Sequence, residues 1–209
     1  MKNYGVKMAN HRRVDRSSRH NLQSEIDYIT NTMASELFVK PVANGSSIGA
    51  RYVGERDQLN SALVELLDIY DAVIVEEFIR GKEATVGVLE SFRNHSIYAL
   101  PPIELIPPSG QPFFSTDVKY NGTTQEIVPG RFSYTEKMAL TEAAILVHKA
   151  LHCEHYSRSD FIVKDGEVYF LEINTLPGLT DESLLPKAAA AIGLEFNDLV
   201  KHLVETAKV

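Results

Sequence analysis

Oxygen-bearing side chains in two consecutive β-rich runs are spaced in a way that could hold a divalent cation. Asp160 lies in the first run (160–163), and Glu172 and Asn174 lie in the second (168–174). Because strand side chains alternate between the two faces of a sheet, Glu172 and Asn174 share a face. Carboxylate and carboxamide oxygens are hard ligands that suit Mg²⁺ or Mn²⁺. We call Asp160, Glu172 and Asn174 the ligand set, and we predict that it binds metal.

The face on which Asp160 lies depends on the loop between the two runs. A Lys-Asp-Gly sequence separates the runs, which is typical of a β-hairpin. A three-residue loop with Gly166 in the left-handed conformation would put Asp160 on the same face as Glu172. A two-residue Asp165-Gly166 turn would put Asp160 on the opposite face. The sequence leaves both arrangements open.

A solvated hairpin would also carry Glu and Asn on its wet face without forming a site. Three features favour a site instead. The stretch 168–171 is too apolar for a strand with one fully wet face, and the strand ends at a rigid Asn-Thr-Leu-Pro-Gly turn. Arg158, two positions before Asp160, adds a fixed positive charge on the same side.

The motifs of this region also resemble a known family. RSDF, LEINTLPGLT and ESLLP closely resemble the end of the D-alanine–D-alanine ligases, members of the ATP-grasp superfamily, and the resemblance runs from Tyr4 to the carboxyl terminus. It implies an α+β ATP-grasp fold, in which two α+β lobes hold ATP between their sheets. We expect a central lobe at residues 1–83 and a carboxyl-terminal lobe at residues 84–209. The amino-terminal domain of the family has no counterpart in the chain.

A loop rich in Gly and Ser spans residues 42–49, between two β-rich runs. Its backbone N–H groups and hydroxyls suit the covering of a phosphate, and Lys40 could reach a phosphate as a point charge. A plain hairpin turn has a similar composition. The order FVKP then NGSSIG resembles the glycine-rich loop of these ligases, which implies Lys40 and Ser47 at the nucleotide and Ser46 in the closure of the catalytic site.

The strand AVIVEEF, at residues 72–78, resembles the adenine hinge of the family. The resemblance implies that Glu76 lies near the adenine amino group and that Glu77 and Ile79 contact adenine through their main chain. It also implies that Glu83 binds the ribose hydroxyls. A carboxylate can accept hydrogen bonds from an exocyclic amine or a vicinal diol. An ordinary charged strand end remains the alternative for these residues.

A long loop-rich segment at residues 107–122 suggests a functional lid. The resemblance implies that Lys119 reaches the phosphates and that Tyr120 faces the amino acids. Family members that make D-alanyl-D-lactate have Phe at the Tyr120 position, so Tyr120 favours D-alanine as the second substrate. Phe113 is expected to pack on adenine.

The family reaction joins two D-alanines for peptidoglycan synthesis in the cytoplasm through an acyl phosphate made from ATP. The resemblance implies that the ligand set holds two Mg²⁺ or Mn²⁺ ions, with Glu172 bridging them. Arg158 and the Gly178 N–H would stabilise the oxyanion of the tetrahedral intermediate. Ser183 and the Leu184 N–H would bind the carboxylate of the second D-alanine.

The absent amino-terminal domain limits these expectations, because in the family it supplies a glutamate that binds the ammonium of the first D-alanine. We therefore expect the chain to bind Mg-ATP but to ligate weakly or not at all alone. A homodimer, or a separate chain that supplies the domain, is the expected partner. Two alternatives remain: another ATP-grasp ligase with a different acceptor, and a non-catalytic nucleotide-binding module.

Composition excludes several classes of protein. The net charge of −7 argues against general nucleic-acid binding. We interpret the basic residues of 1–21 as a solvated segment around a short strand at 6–11, with a nucleic-acid arm as the alternative. No run approaches the roughly 18 apolar residues of a membrane helix, and no signal peptide is seen. The single cysteine, Cys153, fits a reducing cytoplasm.

Hydrophobic periodicity predicts the remaining elements. Helices are predicted at residues 22–34, 57–70, 135–152, from 183 and 195–207, and strands at 37–40, 50–53, 72–78, 83–90 and 96–106. Two histidines four residues apart, His148 and His152, precede Cys153 and His155. A zinc site there is the alternative to ordinary helix-end histidines.

Overall fold

The computed structural model describes residues 4–43, 45, 47–108 and 124–207. These residues form two compact units. The carboxyl-terminal unit consists of the described residues within 1–8, 80–106 and 125–209, and the amino-terminal unit of those within 9–79 and 107–124. The predicted boundary of the lobes, between residues 83 and 84, stays a prediction.

The described residues contain short strands and five α-helices. The strands are β1 (Lys7–Met8), β2 (His11–Asp15), β3 (Leu37–Pro41), β4 (Arg51–Val53), β5 (Ala72–Glu77), β6 (Lys82–Phe92), β7 (His95–Ala99), β8 (Ile103–Ile106), β9 (Gln125–Ile127), β10 (Tyr156–Lys164) and β11 (Glu167–Asn174). The helices are α1 (Leu22–Thr32), α2 (Gln58–Ile69), α3 (Tyr134–Ala150), α4 (Leu184–Ala190) and α5 (Phe196–Thr206), and a 3₁₀ helix spans Arg16–Asn21. Across the described ranges, every helix is too short or too polar to span a lipid bilayer.

The amino-terminal unit is built on an antiparallel sheet with the strand order β2-β5-β3-β4. Residues alternate in β3, where Leu37 and Val39 are buried and Phe38 and Lys40 are only partly so. The buried residues join the apolar sides of α1 and α2 in one core, which includes Ile29 and the α2 leucines. The other face of the sheet carries the remaining side chains, among them Phe38 and Lys40.

Ion pairs within this unit engage the arginines of the basic segment. Arg12 binds Glu25 with an Nε–Oε2 distance of 2.9 Å, and Arg16 lies 3.0 Å from Asp71. The remaining two pairs are Arg13 with Asp15 and Arg19 with Asp68. These contacts place the four arginines of the segment against carboxylates of the same unit, whereas Lys7 pairs with Glu167 in the carboxyl-terminal unit.

The carboxyl-terminal unit is built on a seven-stranded sheet with the order β1-β11-β10-β6-β8-β9, and β7 also pairs with β6. Helix α3 packs on one face, where Leu140, Ala144 and Val147 form a core with Val86 and Phe161. Its amino terminus carries a capping box, in which the Ser133 hydroxyl accepts from the Glu136 N–H and the Glu136 carboxylate accepts from the Ser133 N–H.

Helix α4 lies against the other face of this sheet, at Gly87 of β6. A Cβ atom at Gly87 would lie 2.5 Å from Leu185 Cδ1 and 2.9 Å from Leu100 Cδ1. Such distances are far inside van der Waals contact, so only glycine permits this approach. Gly87 thereby sets how closely α4 packs on the sheet.

The structure departs from the sequence predictions at three elements. The single strand predicted at 6–11 is wrong, because β1 pairs with β11 and β2 pairs with β5 in separate sheets. The strand predicted at 96–106 divides into β7 and β8, since Pro101 and Pro102 have no N–H for a ladder. Asp57 precedes α2, but its side chain makes no capping hydrogen bond.

Candidate functional site

The hairpin that carries the ligand set closes on a two-residue turn. Asp165 and Gly166 both have positive φ values, of 52° and 79°, and Lys164 pairs with Glu167 across the turn. This geometry is typical of a type I′ hairpin turn. Of the two loop lengths left open by the sequence, the two-residue turn is the observed one.

A β-bulge puts Asp160 on the same face as Glu172, although a two-residue turn followed by a regular ladder would have put it on the opposite face. Phe161 pairs with Phe170, but the register shifts at the next position, so Asp160 pairs with Glu172 and Leu171 is the extra residue. The prediction that a two-residue turn separates Asp160 from Glu172 is therefore wrong. A bulge changes the alternation of one strand only, and turn length alone does not reveal it.

The neighbouring strand positions complete one polar face of the carboxyl-terminal unit. Arg158 pairs with Asn174 in the β10–β11 ladder, beside the pair of Asp160 with Glu172. In the β10–β6 ladder Asp160 pairs with Thr85. Directly paired residues present their side chains on the same face, so Arg158, Thr85 and the ligand set lie together on the face opposite α3.

The Asp160 carboxylate accepts hydrogen bonds from two residues. Arg158 donates from Nε to Oδ1 and from Nη2 to Oδ2, each at 3.2 Å. The Thr85 hydroxyl donates to Oδ1 at 2.6 Å. The side chains of Arg158 and Asp160 are each 17% exposed, so solvent reaches this ion pair only in part.

The other two members of the ligand set keep oxygen atoms available. Within the described residues, the exposed Glu172 carboxylate makes no hydrogen bond or ion pair. The Asn174 Oδ1 accepts the Leu176 N–H at 2.9 Å, and a carboxamide oxygen has a second lone pair. The donor chemistry fits a hard divalent cation.

No group of three or more His, Cys, Asp or Glu side chains suited to a metal occurs in the described ranges. The ligand set has two carboxylates and one carboxamide, so it does not belong to that class of group. The zinc alternative finds no support in the contacts of His148. Its fully buried ring lies 2.7 Å from Ser157 Oγ and 3.4 Å from Glu90 Oε1.

Gly178 and Ser183, the residues expected near the substrates, lie together at the start of α4. Ser183 precedes the helix, and its hydroxyl accepts the Thr180 N–H at 3.1 Å. A Cβ atom at Gly178 would lie 2.9 Å from the Ser183 hydroxyl oxygen. Leu184 is buried as the first residue of α4. A side chain at Gly178 would therefore require the Ser183 hydroxyl to move.

The hinge residues of the amino-terminal unit form contacts of their own. Lys40 Nζ lies 2.9 Å from Glu76 Oε2, and their side chains are 22% and 13% exposed. The Glu77 carboxylate accepts the Ala34 N–H at 2.9 Å, and the Glu77 N–H donates to the Asn10 carbonyl oxygen. Lys40 and Glu76 are thus brought together, whereas Glu77 stabilises the neighbouring loop.

The other predicted nucleotide residues are placed only in part. Ser47 has a φ of 58°, in the left-handed region that is uncommon outside glycine. Ile79 lies in the connection between β5 and β6. Glu83 pairs with Ile162 and lies two residues before Thr85 on β6, so the Glu83 and Thr85 side chains share a face. The predictions for Ser46, Phe113, Lys119 and Tyr120 fall outside the described residues.

Sequence reasoning missed Thr85. It lies within KEATVGVLE, where a threonine is an ordinary strand residue. Its partner Asp160 is distant in the chain, so only the register of β6 with β10 shows the contact.

Comparisons with known proteins agree with this architecture. A family model described as the D-ala D-ala ligase C-terminus matches residues 1–205. A D-alanine--D-alanine ligase of Leptospira interrogans is 36% identical over 204 residues, which cover 96% of this chain and 58% of that protein.

Two solved structures are similar in fold. The VanG D-Ala:D-Ser ligase from Enterococcus faecalis has a TM-score of 0.84 at 30% identity, over 98% of this chain and 58% of that one. A D-alanine--D-alanine ligase from Bacillus anthracis complexed with ATP has a TM-score of 0.75 at 27% identity, over 98% of this chain and 60% of that one.

The chain spans less than two thirds of the length of these relatives. Over that span the match is nearly continuous, and the mixed sheets and helices agree with the fold of the solved ligases. The chain therefore belongs to the family of D-ala D-ala ligase C-terminal regions, and its α+β fold is the ATP-grasp fold of those ligases.

Proposed function

We propose that this chain is the ATP- and metal-binding part of a ligase that joins two D-alanines for peptidoglycan precursors in the cytoplasm. The observation that carries the proposal is the pairing of Asp160 with Glu172 on one polar face, beside Arg158 and Asn174. Membership of the D-ala D-ala ligase family supports the choice of substrate.

Lys40 and Glu76 are proposed as nucleotide contacts. In the described structure each neutralises the other at 2.9 Å, so the lysine is already held on the polar side of its sheet. Lys40 would bind phosphate as a point charge, and Glu76 would accept from the adenine amino group. Ser47, Glu77, Ile79 and Glu83 are the further contacts implied by the family, together with Phe113 and Lys119. The ATP complex of the Bacillus anthracis ligase supports a nucleotide ligand for this fold.

The ligand set is proposed to hold Mg²⁺ or Mn²⁺ through Asp160, Glu172 and Asn174. A bound divalent cation would neutralise phosphate charge during transfer. Arg158 is proposed to stabilise negative charge on the reacting carbonyl, since it pairs with Asn174 beside the pair of Asp160 with Glu172. The Gly178 N–H is proposed as a second donor to that oxyanion, with Ser46 and Tyr120 completing the site.

The loop before α4 is proposed to bind the carboxylate of the second D-alanine. The Ser183 hydroxyl and the Leu184 N–H are the proposed donors, and the Ser183 hydroxyl is held by its contacts with the Thr180 N–H and hydroxyl. A hydroxyl and a backbone N–H together can hold a carboxylate through charge-assisted hydrogen bonds.

We expect the chain alone to bind Mg-ATP and to ligate weakly or not at all. The matched ligases are longer, and this chain corresponds to 58% of the Leptospira interrogans protein. A second copy, or a separate chain, is the proposed source of the remaining D-alanine contacts.

Calorimetric titration of Mg-ATP tests this function. We expect the parent chain to bind Mg-ATP and Glu172→Gln to bind it more than about tenfold more weakly. Mutation of residues that only hydrogen-bond to a metal ligand already lowers metal affinity by about 10- to 100-fold. Glu167→Gln is the matched control, because Glu167 lies on the same strand but forms an exposed pair with Lys7. A parent chain that fails to bind Mg-ATP contradicts the proposal.

A ligase with a different acceptor is the second candidate. The similarity to a D-Ala:D-Ser ligase favours this alternative. Release of ADP measured with D-alanine plus either D-alanine, D-serine or D-lactate distinguishes the acceptors. Binding of ATP without stimulation by any of these compounds would instead indicate a non-catalytic nucleotide-binding module.

A further inference from the structure

Thr85 is a buried polar residue in the middle of the carboxyl-terminal sheet. Its side chain is 1% exposed, and its strand β6 lies between β10 and β8. It pairs directly with Asp160 in the β6–β10 ladder. Asp160 in turn pairs with Glu172, so the three residues form one row across three strands.

The Thr85 hydroxyl has two acceptors within reach but only one proton to donate. Asp160 Oδ1 lies at 2.6 Å and the Ser159 carbonyl oxygen at 3.3 Å. A distance of about 2.5–2.7 Å is typical of a hydroxyl that donates to a charged oxygen. The proton is therefore assigned to the Asp160 carboxylate.

The two oxygens of Asp160 are not equally occupied. Oδ1 accepts from both Thr85 and Arg158 Nε, whereas Oδ2 accepts from Arg158 Nη2 alone. We infer that Thr85 is a positioning residue: its hydroxyl fixes the Asp160 carboxylate through Oδ1 and so presents Oδ2 to the cation. This inference rests on the proposed metal site.

The residue type suits such a role. A β-branched side chain has few χ1 rotamers, so a buried threonine holds its hydroxyl in a defined direction. The sheet fixes the backbone on both sides of Thr85, through Ile103 of β8 and Asp160 of β10. Valine at this position keeps the shape of the side chain and removes only the donor.

The test uses Mn²⁺ as the probe, titrated into the full chain in the presence of ATP and followed by electron paramagnetic resonance. We expect Thr85→Val to bind Mn²⁺ about 10- to 100-fold more weakly, the range found for residues that orient metal ligands. Thr85→Ser restores the donor and is expected to recover most of the affinity. Metal-free ATP binding, measured by calorimetry in EDTA, is expected to stay unchanged in both variants.

Ser159→Ala is the matched control. Ser159 is fully buried beside Asp160, but its hydroxyl makes no hydrogen bond in the described part of the chain. Removing it is expected to leave Mn²⁺ affinity unchanged. If Thr85→Val does not fold, as judged by circular dichroism, Thr85→Ala is measured in the same assay.

Three results would overturn the inference, and they separate the role of Thr85 from the metal site itself. Parental affinity in Thr85→Val, or equal losses in the serine and valine variants, shows that the hydroxyl does not position Asp160. Failure of the parent chain to bind Mn²⁺ with ATP removes the proposed metal site itself, and the role of Thr85 with it.

Discussion

Asp160 and Glu172 pair directly across β10 and β11, although the hairpin between them closes on a two-residue turn. The bulge at Leu171 makes this possible, since it advances one strand by a residue relative to the other. Two negatively charged side chains are thereby held on one face, and Arg158 offsets part of their charge.

Arg158 donates to both oxygens of Asp160, so it should compete with a cation for that carboxylate. We expect Arg158→Met to bind free Mn²⁺ more tightly, by about fivefold, because a unit charge at 4 Å is worth about 1 kcal/mol even in water. Electron paramagnetic resonance of Mn²⁺ without nucleotide measures the change. Arg93→Met is the control, since Arg93 donates to the Ile192 carbonyl oxygen instead. Weaker Mn²⁺ binding by Arg158→Met would show that the arginine does not compete.

Lys40 of β3 lies 2.9 Å from Glu76 of the hinge and is the residue proposed to bind phosphate. We expect Lys40→Met to weaken ATP binding by about 10- to 100-fold, because hydrogen bonds to charged groups contribute about 1.5–3 kcal/mol. Adenosine, which has no phosphate, should bind the variant and the parent within a few fold. Calorimetric titration with both compounds measures the difference, with Lys164→Met in the hairpin turn as the control. Equal losses for the two compounds would contradict a phosphate contact.

Gly87 permits the close approach of α4 to β6. We expect Gly87→Ala to lower the free energy of unfolding by about 1–3 kcal/mol, since the added methyl group overpacks the contact with Leu185. Urea unfolding measures this loss. In a double-mutant cycle, Gly87→Ala should cost less in a Leu185→Ala background, because the shortened side chain leaves room. A cost that is equal in both backgrounds would exclude the clash.

The Glu136 carboxylate makes the capping box pH-dependent. The Ser133 N–H is the main cause that lowers the pKa of Glu136 below its usual value, with burial opposing it and Lys82 adding to it. The unfolded chain therefore binds this proton more readily, so the stabilisation is present near neutral pH and is lost as the pH falls through the folded-state pKa. We expect Glu136→Gln to cost about 0.3–1 kcal/mol at neutral pH, the typical contribution of a negative charge near a helix amino terminus.

Urea unfolding of the parent and Glu136→Gln at about pH 7 and about pH 3 measures this dependence, since the two chains should differ less at the lower pH. Ser133→Ala removes the other half of the capping box and should cost about 1 kcal/mol at both pH values. A difference between parent and Glu136→Gln that grows on acidification would contradict the assignment.

The shared face of Glu172 and Asn174 could be predicted from the sequence because the information is local, and their binding of metal stays a prediction. The alternation of Glu172 and Asn174, the turn signal at Asp165-Gly166 and the family motifs all lie within a short stretch. The pairing of Asp160 with Glu172 could not be predicted from local sequence. The face of Asp160 depends on a bulge, and no residue type near Leu171 marks one, so pattern reasoning alone could not choose the face.

Contacts between distant parts of the chain were the least predictable. Thr85 meets Asp160, and β1 joins β11, only because of the order in which strands enter the sheets. Likewise, the sequence shows Gly87 as one glycine in a strand, and its importance appears only once Leu185 packs against it. Strand register and packing across a sheet depend on the whole folded chain and cannot be predicted from one segment. Hydrophobic periodicity can be predicted from one segment, because it depends on that segment alone.

The bulge also has a consequence for how such hairpins can vary in length. A tight turn followed by one surplus residue presents the same pair of carboxylates as a turn one residue longer followed by a regular ladder. An insertion in the turn could thus be balanced by a deletion at Leu171, with Asp160 still opposite Glu172. The number of residues between these two acids therefore includes the turn and the bulge, and a residue gained in one can be offset by a residue lost from the other. A change in the length of the turn need not disturb the site.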